Sequence, residues 1–310
     1  MIDFRYHLVS LSAVFLALAV GVVLGSGPMR DALVGDQAGQ IDELEQEVHS
    51  LEDDILVQQE AAVAGEQFAD ESSQRVLAGA LGDVQVASVE VGEPSVESAD
   101  GVRARQVQAG ATVTAQVSVL DAWTDPGQVA FRSSLASTVS SQVAGATEDM
   151  APTTVLAHAL AQALMPGVVP PGADADAFAD DPQERASALF DLLSEADLVD
   201  GSVSAAAGAV TVIAGPADEE SSSDSATFAE LSGVLAQYAE GIVVASGLPS
   251  SGDVPTAIAA APDASGLVST VTTGTTYYGR ISTALALSEN IGGSVGQYAV
   301  GEGQTYVPAP

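Results

Sequence analysis

The sequence predicts an α/β protein: an N-terminal membrane helix, a short coiled coil, then a mostly parallel, Rossmann-like sheet covered by helices. Three observations carry that expectation. Leu8 to Gly27 is an uncharged run, apolar residues recur in heptads from Val34 to Ile55, and strand-like and helix-like segments alternate from Val84 to Val271. They divide the 310 residues into an anchor (1–29), a stalk (30–80), a globular domain (81–300) and a tail (301–310).

The run LVSLSAVFLALAVGVVLGSG, Leu8 to Gly27, carries no charge and lies between Arg5 and Arg30. About 20 helical residues at 1.5 Å each span the roughly 30 Å hydrocarbon core, so the lipid bilayer is the first expected partner. A cleaved signal peptide fits less well: no A-x-A site follows, and Pro28 and Met29 stand where small residues are wanted. The expected topology is single-pass, with the C-terminal domain outside the cytoplasm.

In the stalk, Val34, Ile41, Val48 and Ile55 fill heptad position a, with Leu44 and Leu51 at d. These six residues are the predicted partner interface. β-branched residues at a with Leu at d favour two parallel strands, while Gln37 and Gln58 weaken d at both ends, so the seam is short. Its flanks hold Glu45, Glu47, Glu52 and Asp54, and no basic residue occurs between Asp31 and Glu60. A parallel homodimer sets Glu47 against Glu52, which favours a neutral or basic partner helix over a second copy. Two alternatives stay open: a homodimer, and a single helix folded back on its own domain. His49 falls at b, facing solvent, and receives no role.

Val84 to Val91 alternates as a strand, a polar helix-like segment covers Asp100 to Ala109, and Ala111 to Leu120 reads as a second strand. Further strands are expected at Ala209–Ala214, Ile242–Ala245 and Leu267–Val271, with helices at Pro182–Ala196 and Thr227–Tyr238. Such alternation implies a mainly parallel sheet with helices on both faces. Asp121 to Pro166 reads as helical, with Leu156, Leu160 and Leu164 turned to the core and Pro166 ending it. Pro170 to Asp181 is an acidic, turn-rich loop without the spacing of a calcium loop. The tail, Gly301 to Pro310, is expected to be poorly ordered.

The 42 acidic residues face only eight basic ones, all Arg, for a formal charge of −34. That balance repels phosphate backbones and anionic headgroups, which excludes nucleic acid as a partner. It also suits a salty medium. With no Cys there is no disulfide, thiolate nucleophile or Cys-based metal site.

No enzymatic chemistry is expected. Gly292–Gly296 matches G-x-S-x-G, but helix-like residues precede it and no His follows Ser294, so these glycines read as a helix end. Neither a G-x-G-x-x-G after a strand nor a Walker A motif is present, and no cofactor is expected. For Cu(I), the part after the anchor offers only His49, His158, Met150 and Met165. His158 and Met165 share a helical face at about 10.5 Å along the axis, too far apart to grip one ion. No metal-ligand set is visible.

The run SLSAVFLALAVGVVLGSG, Ser10 to Gly27, resembles the start of the mycobacterial copper-transport protein B family of actinobacteria. The likeness continues through the coiled coil, QAGATVTAQVSV (Gln108 to Val119), GRISTALAL (Gly279 to Leu287) and the closing VPAP. It implies a cell-envelope protein linked to copper homeostasis or efflux, proposed in mycobacteria to act as an outer-membrane copper channel. Related corynebacterial proteins imply instead a partner in cell-wall remodelling and cell separation. One α-helix makes no pore alone, and the sequence lacks the repeated amphipathic strands of a barrel.

Overall fold

A computed structural model describes residues 4–25, 28–147, 149–175, 178, 180–300 and 304–308; within these, the side chains of residue 24 and residues 28–42 lie outside the description. The chain divides into two compact units, residues 1–67 and 68–310.

In the first unit, α1 (Phe4–Gly25) is one helix whose described apolar side chains are exposed. Its span Phe4–Val23 is 20 residues, long and apolar enough to cross a bilayer. α2 (Pro28–Val76) begins at a proline, which lacks the N–H that a first helical residue would leave unpaired. It is continuous for 49 residues. Pairing with a second helix, the coiled coil of the expectation, is not part of this single chain.

The second unit is a three-layer α/β domain. Its sheet runs β3 (Val199–Val203), β2 (Thr112–Val119), β1 (Gln85–Val91), β4 (Ala209–Ala214), β5 (Gly241–Ala245), β6 (Ser269–Val271) and β7 (Gln297–Tyr298). All pairs are parallel except β2 with β3. Pleating sends alternate residues to opposite faces. Val89, Val91, Val117, Val210, Val212 and Val244 meet a core completed by α4 (Val129–Val139), α5 (Pro152–Leu164), α6 (Pro182–Glu195), α7 (Ser222–Leu235) and α8 (Val254–Ala260). α9 (Pro262–Ser265) is a single turn after them. Val86, Ala209, Val243 and Val271 turn the other way, against α10 (Tyr277–Ile291), and Ile213 and Ala245 meet α3 (Val96–Gln108). Burial on both faces is why these strands read as nearly continuous apolar runs.

The expected interior strands and the helices at Pro182 and Thr227 are present, with ends moved by a few residues. Leu156, Leu160 and Leu164 are fully buried, and α5 ends at Leu164. Several expectations need correction. Asp121 to Pro166 is not one helical region: two short 3-10 turns at Asp121–Trp123 and Pro126–Gln128 precede α4, and a third at Ser140–Gln142 follows it before α5 begins. Arg132 holds that irregular stretch by donating to the carbonyls of Ala122 at 2.7 Å and Asp125 at 2.8 Å. The strands β3 and β7 were not legible. In the tail, residues 304–308 are placed: Ala299 N–H donates to the Thr305 carbonyl, and Pro308 is buried. Residues 301–303, 309 and 310 lie outside the described residues.

The last turns of α2 belong to this second unit. Arg105 pairs with Asp70 at 2.7 Å, donates to Ser73 and Gln108, and lies 5.5 Å from the Tyr277 ring. Its guanidinium holds the Asp70 carboxyl below the usual range by hydrogen bond and charge. Leu77 and Leu81 then enter the core with no exposure.

Candidate functional site

In open α/β sheets the ligand crevice opens where neighbouring strands send their connections in opposite directions. Here that point lies between β1 and β4, and both strands are followed by glycine. Gly92 takes a left-handed φ of 63°, and Gly215 N–H donates to the Val91 carbonyl at 2.8 Å. A Cβ on Gly215 would stand 1.7 Å from the Gly92 carbonyl oxygen. The two backbones touch, so the floor of the crevice is closed where a dinucleotide fold would admit a pyrophosphate.

Above that floor a hollow of about 150 Å³ is lined by Glu93, Asp121, Thr124, Asp224 and Phe228. Glu93 and Asp121 also border a wider cleft of about 620 Å³ with Glu90, Asp197 and Asp200. Glu90 is ion-paired to Arg103 and accepts a hydrogen bond from Ser118. Among the described residues no basic side chain lines either hollow. Such walls repel phosphates and attract cations over a Debye length. Among the described residues no three His, Cys, Asp or Glu converge as a metal site. Asp121 directly follows a predicted strand and Glu93 lies one residue beyond another, so strand ends were the signal that could have found them. Asp224 lies on α7 and comes in only through the fold.

The candidate copper donors are dispersed. Met165 is buried in the core, Met150 packs at its edge, and His49 is exposed on α2 with Nδ1 3.2 Å from Glu52. His158 is 2% exposed, with Nδ1 2.7 Å from the Tyr238 hydroxyl. Gln162 donates to the same hydroxyl and exchanges hydrogen bonds with Ala144. Burial holds the His158 imidazole below its ordinary value of 6.5 and the Tyr238 hydroxyl above its own. The unfolded chain therefore takes up this proton first. The contribution is full above pH 6.5 and is lost as pH falls from there through the depressed folded value. Thermal unfolding followed from about pH 7.5 to about pH 5 should show that loss, and His158→Gln should shrink it. Equal pH slopes in the two proteins would contradict the assignment.

Of the predicted interface, Leu44, Val48, Leu51 and Ile55 share one face of α2 and are 59, 49, 55 and 53% exposed. The side chains of Val34 and Ile41 lie outside the described residues.

Residues 1–308 match the family described as "Copper transport outer membrane protein, MctB". The chain belongs to this family. It is 29% identical over 311 residues to the copper transporter MctB of Mycobacterium tuberculosis (strain ATCC 25618 / H37Rv), covering 98% of each chain. With the copper transporter MctB of Mycobacterium leprae (strain TN) it shares 28% over 320 residues, the whole of both chains. Two segments that carried the resemblance to the MctB family are placed by the fold. Gln108 to Val119 leads from the end of α3 into β2, and Gly279 to Leu287 forms the middle of α10. There Thr283 donates to the Gly279 carbonyl at 2.9 Å, while the Arg280 Nε donates to the Thr275 carbonyl. In this MctB-family chain those residues serve the packing of α10.

Proposed function

We propose that this chain is a single-pass, non-enzymatic envelope protein of copper homeostasis or efflux, with its α/β domain outside the cytoplasm, and that it acts through protein partners. The match to the copper-transport family along residues 1–308 carries the reading. Copper is here the cargo of a system, not a resident ion of this domain. Soft-metal capture needs convergent thiolate, thioether or imidazole donors, and His49, His158, Met150 and Met165 do not supply such a set. A pore through this chain alone is also disfavoured. A spanning strand needs about 9–11 residues in a closed barrel, whereas the longest described strand has eight and sits in an open sheet.

A second reading is favoured by the exposed apolar seam of α2: a scaffold for cell-wall remodelling or cell separation that engages a partner helix. One set of experiments separates the two. The full chain in neutral detergent, titrated with Cu(I) against a competing chelator, is expected to show no tight stoichiometric site, while a deletion strain becomes copper-sensitive. Stoichiometric binding lost in His158→Ala would overturn the ligand argument. Chaining or division defects with normal copper tolerance would favour the scaffold. The anchor predicts retention of the protein in membranes after an alkaline carbonate wash, and protease added to spheroplasts should digest the acidic domain. Release into the supernatant would sink the anchor.

A further inference from the structure

β3 closes one side of the sheet, and among the described residues no strand lies beyond it. The Leu120 N–H donates to the Leu198 carbonyl at 3.0 Å and the Ser204 N–H to the Thr114 carbonyl at 2.7 Å. In an antiparallel ladder the pairing alternates. Leu198, Asp200, Ser202 and Ser204 therefore turn their main-chain groups toward β2, and Val199, Gly201 and Val203 turn theirs outward. Asp200, Gly201 and Ser202 are exposed. Along this edge runs a groove of about 560 Å³, walled by Gly201, Val203 and Ala205 on one side and by Ala186, Ser187 and Phe190 of α6 on the other. An unpaired strand edge beside a helix is a template for another strand.

We propose that this edge binds one extended segment of a partner protein by strand addition, and that the segment alternates small apolar with basic residues. The two faces of the sheet set that chemistry. An added strand sends every second side chain into the groove, where Val203, Ala186 and Phe190 offer apolar contact. The intervening side chains fall on the opposite face, beside the cleft that holds Asp197 and Asp200. Among the described residues no arginine lines the groove or the cleft, so a cation arriving there meets no competitor within them. A second copy of this chain is a poor occupant, because each brings a formal charge of −34 and another acidic strand. The inference stands independently of the copper reading.

The test uses the full chain in neutral detergent and a synthetic peptide of about nine residues alternating Lys and Val, enough to cover a five-residue strand. A Glu/Val peptide and two Lys/Val peptides N-methylated on alternate amides serve as controls. Binding is expected to slow hydrogen exchange at the amides of Val199, Gly201 and Val203. One N-methylated peptide, the one without the donors that face β3, should bind about tenfold or more weakly, while the other binds like its parent. Asp200→Asn should weaken the parent peptide about two- to fivefold, and the Glu/Val peptide should not bind. If both N-methylated peptides bind like the parent and exchange is unchanged, the attraction is charge alone and the proposal is overturned. Edge amides already protected in the free chain, and released on dilution, would assign the edge to a second copy and equally overturn it.

Discussion

Gly279→Val is expected to leave the α/β domain without a cooperative unfolding transition. A Cβ at residue 279 would stand 1.9 Å from the Thr273 carbonyl oxygen, 2.6 Å from its carbon and 2.8 Å from the Gly274 Cα. All three are backbone atoms, so no rotamer change relieves the clash, and α10 has to move. That movement would strip Thr276 from its capping bond to the Gly279 N–H and Thr283 from the Gly279 carbonyl. It would also loosen Asn290, which receives the Ile242 N–H and donates to the Leu267 carbonyl. Overpacking alone typically costs 1–3 kcal/mol, and about 5–15 kcal/mol is the whole stability of a domain. With the cap broken and Asn290 pulled away from its strands as well, valine should exceed what the fold tolerates, and alanine should lower the thermal midpoint by several degrees. Gly266→Ala is the control, since nothing lies within 4 Å of its Cβ position. Near-UV circular dichroism of the three proteins in detergent decides; a Gly279→Ala midpoint equal to that of Gly266→Ala would contradict the close-approach argument.

Leu44→Asp with Leu51→Asp is expected to abolish association through α2. Leu44, Val48, Leu51 and Ile55 form a stripe over eleven residue steps, about 16 Å of helix, and each is near half exposed in the single chain. Burying a Leu contributes about 1.5–3 kcal/mol, so removing two should weaken a complex by roughly a thousandfold, before counting the carboxylates introduced at the seam. The flanks Glu45, Glu47, Glu52 and Asp54 make a neutral or basic helix the better partner. Cross-linking in cells should trap a heteromeric product with the parent chain and none with the double variant, and both should remain monomeric in neutral detergent at low salt. A tight homodimer of the parent with no cross-linked partner would refute the heteromeric preference, and an unchanged cross-link pattern in the variant would refute the seam itself.

Much of the fold was legible because its signals are local. A run without charge from Leu8 to Gly27 and β-branched runs such as Ala209–Ala214 each carry their information within one element. The glycines after α10 behaved likewise: Gly292 ends the helix and Gly293 takes a left-handed φ of 88°, so Ser294 stands beyond a helix end rather than at a strand-to-helix turn. Composition spoke as clearly about charge. Of the eight arginines, Arg103, Arg105, Arg132, Arg185 and Arg280 are engaged within the domain by carboxylates or carbonyls, which leaves a surface dominated by acids.

Thus the sequence by itself determined the apolar N-terminal helix, the alternating α/β plan and the lack of thiolate chemistry, since these depend on residue type and period alone. Tertiary structure decided the rest. β3 contains Asp200 and Gly201, residue types depleted in strands, yet becomes a strand because β2 supplies the ladder that satisfies its backbone. His158 and Tyr238 are 80 residues apart and meet only when α5 packs against α7 and the segment that follows it. The closed floor of the crevice exists because Gly92 and Gly215 follow strands that the sheet makes neighbours. Contacts of that range carry no periodic trace in the chain: they arise when buried polar groups and close-packed backbones must be satisfied together.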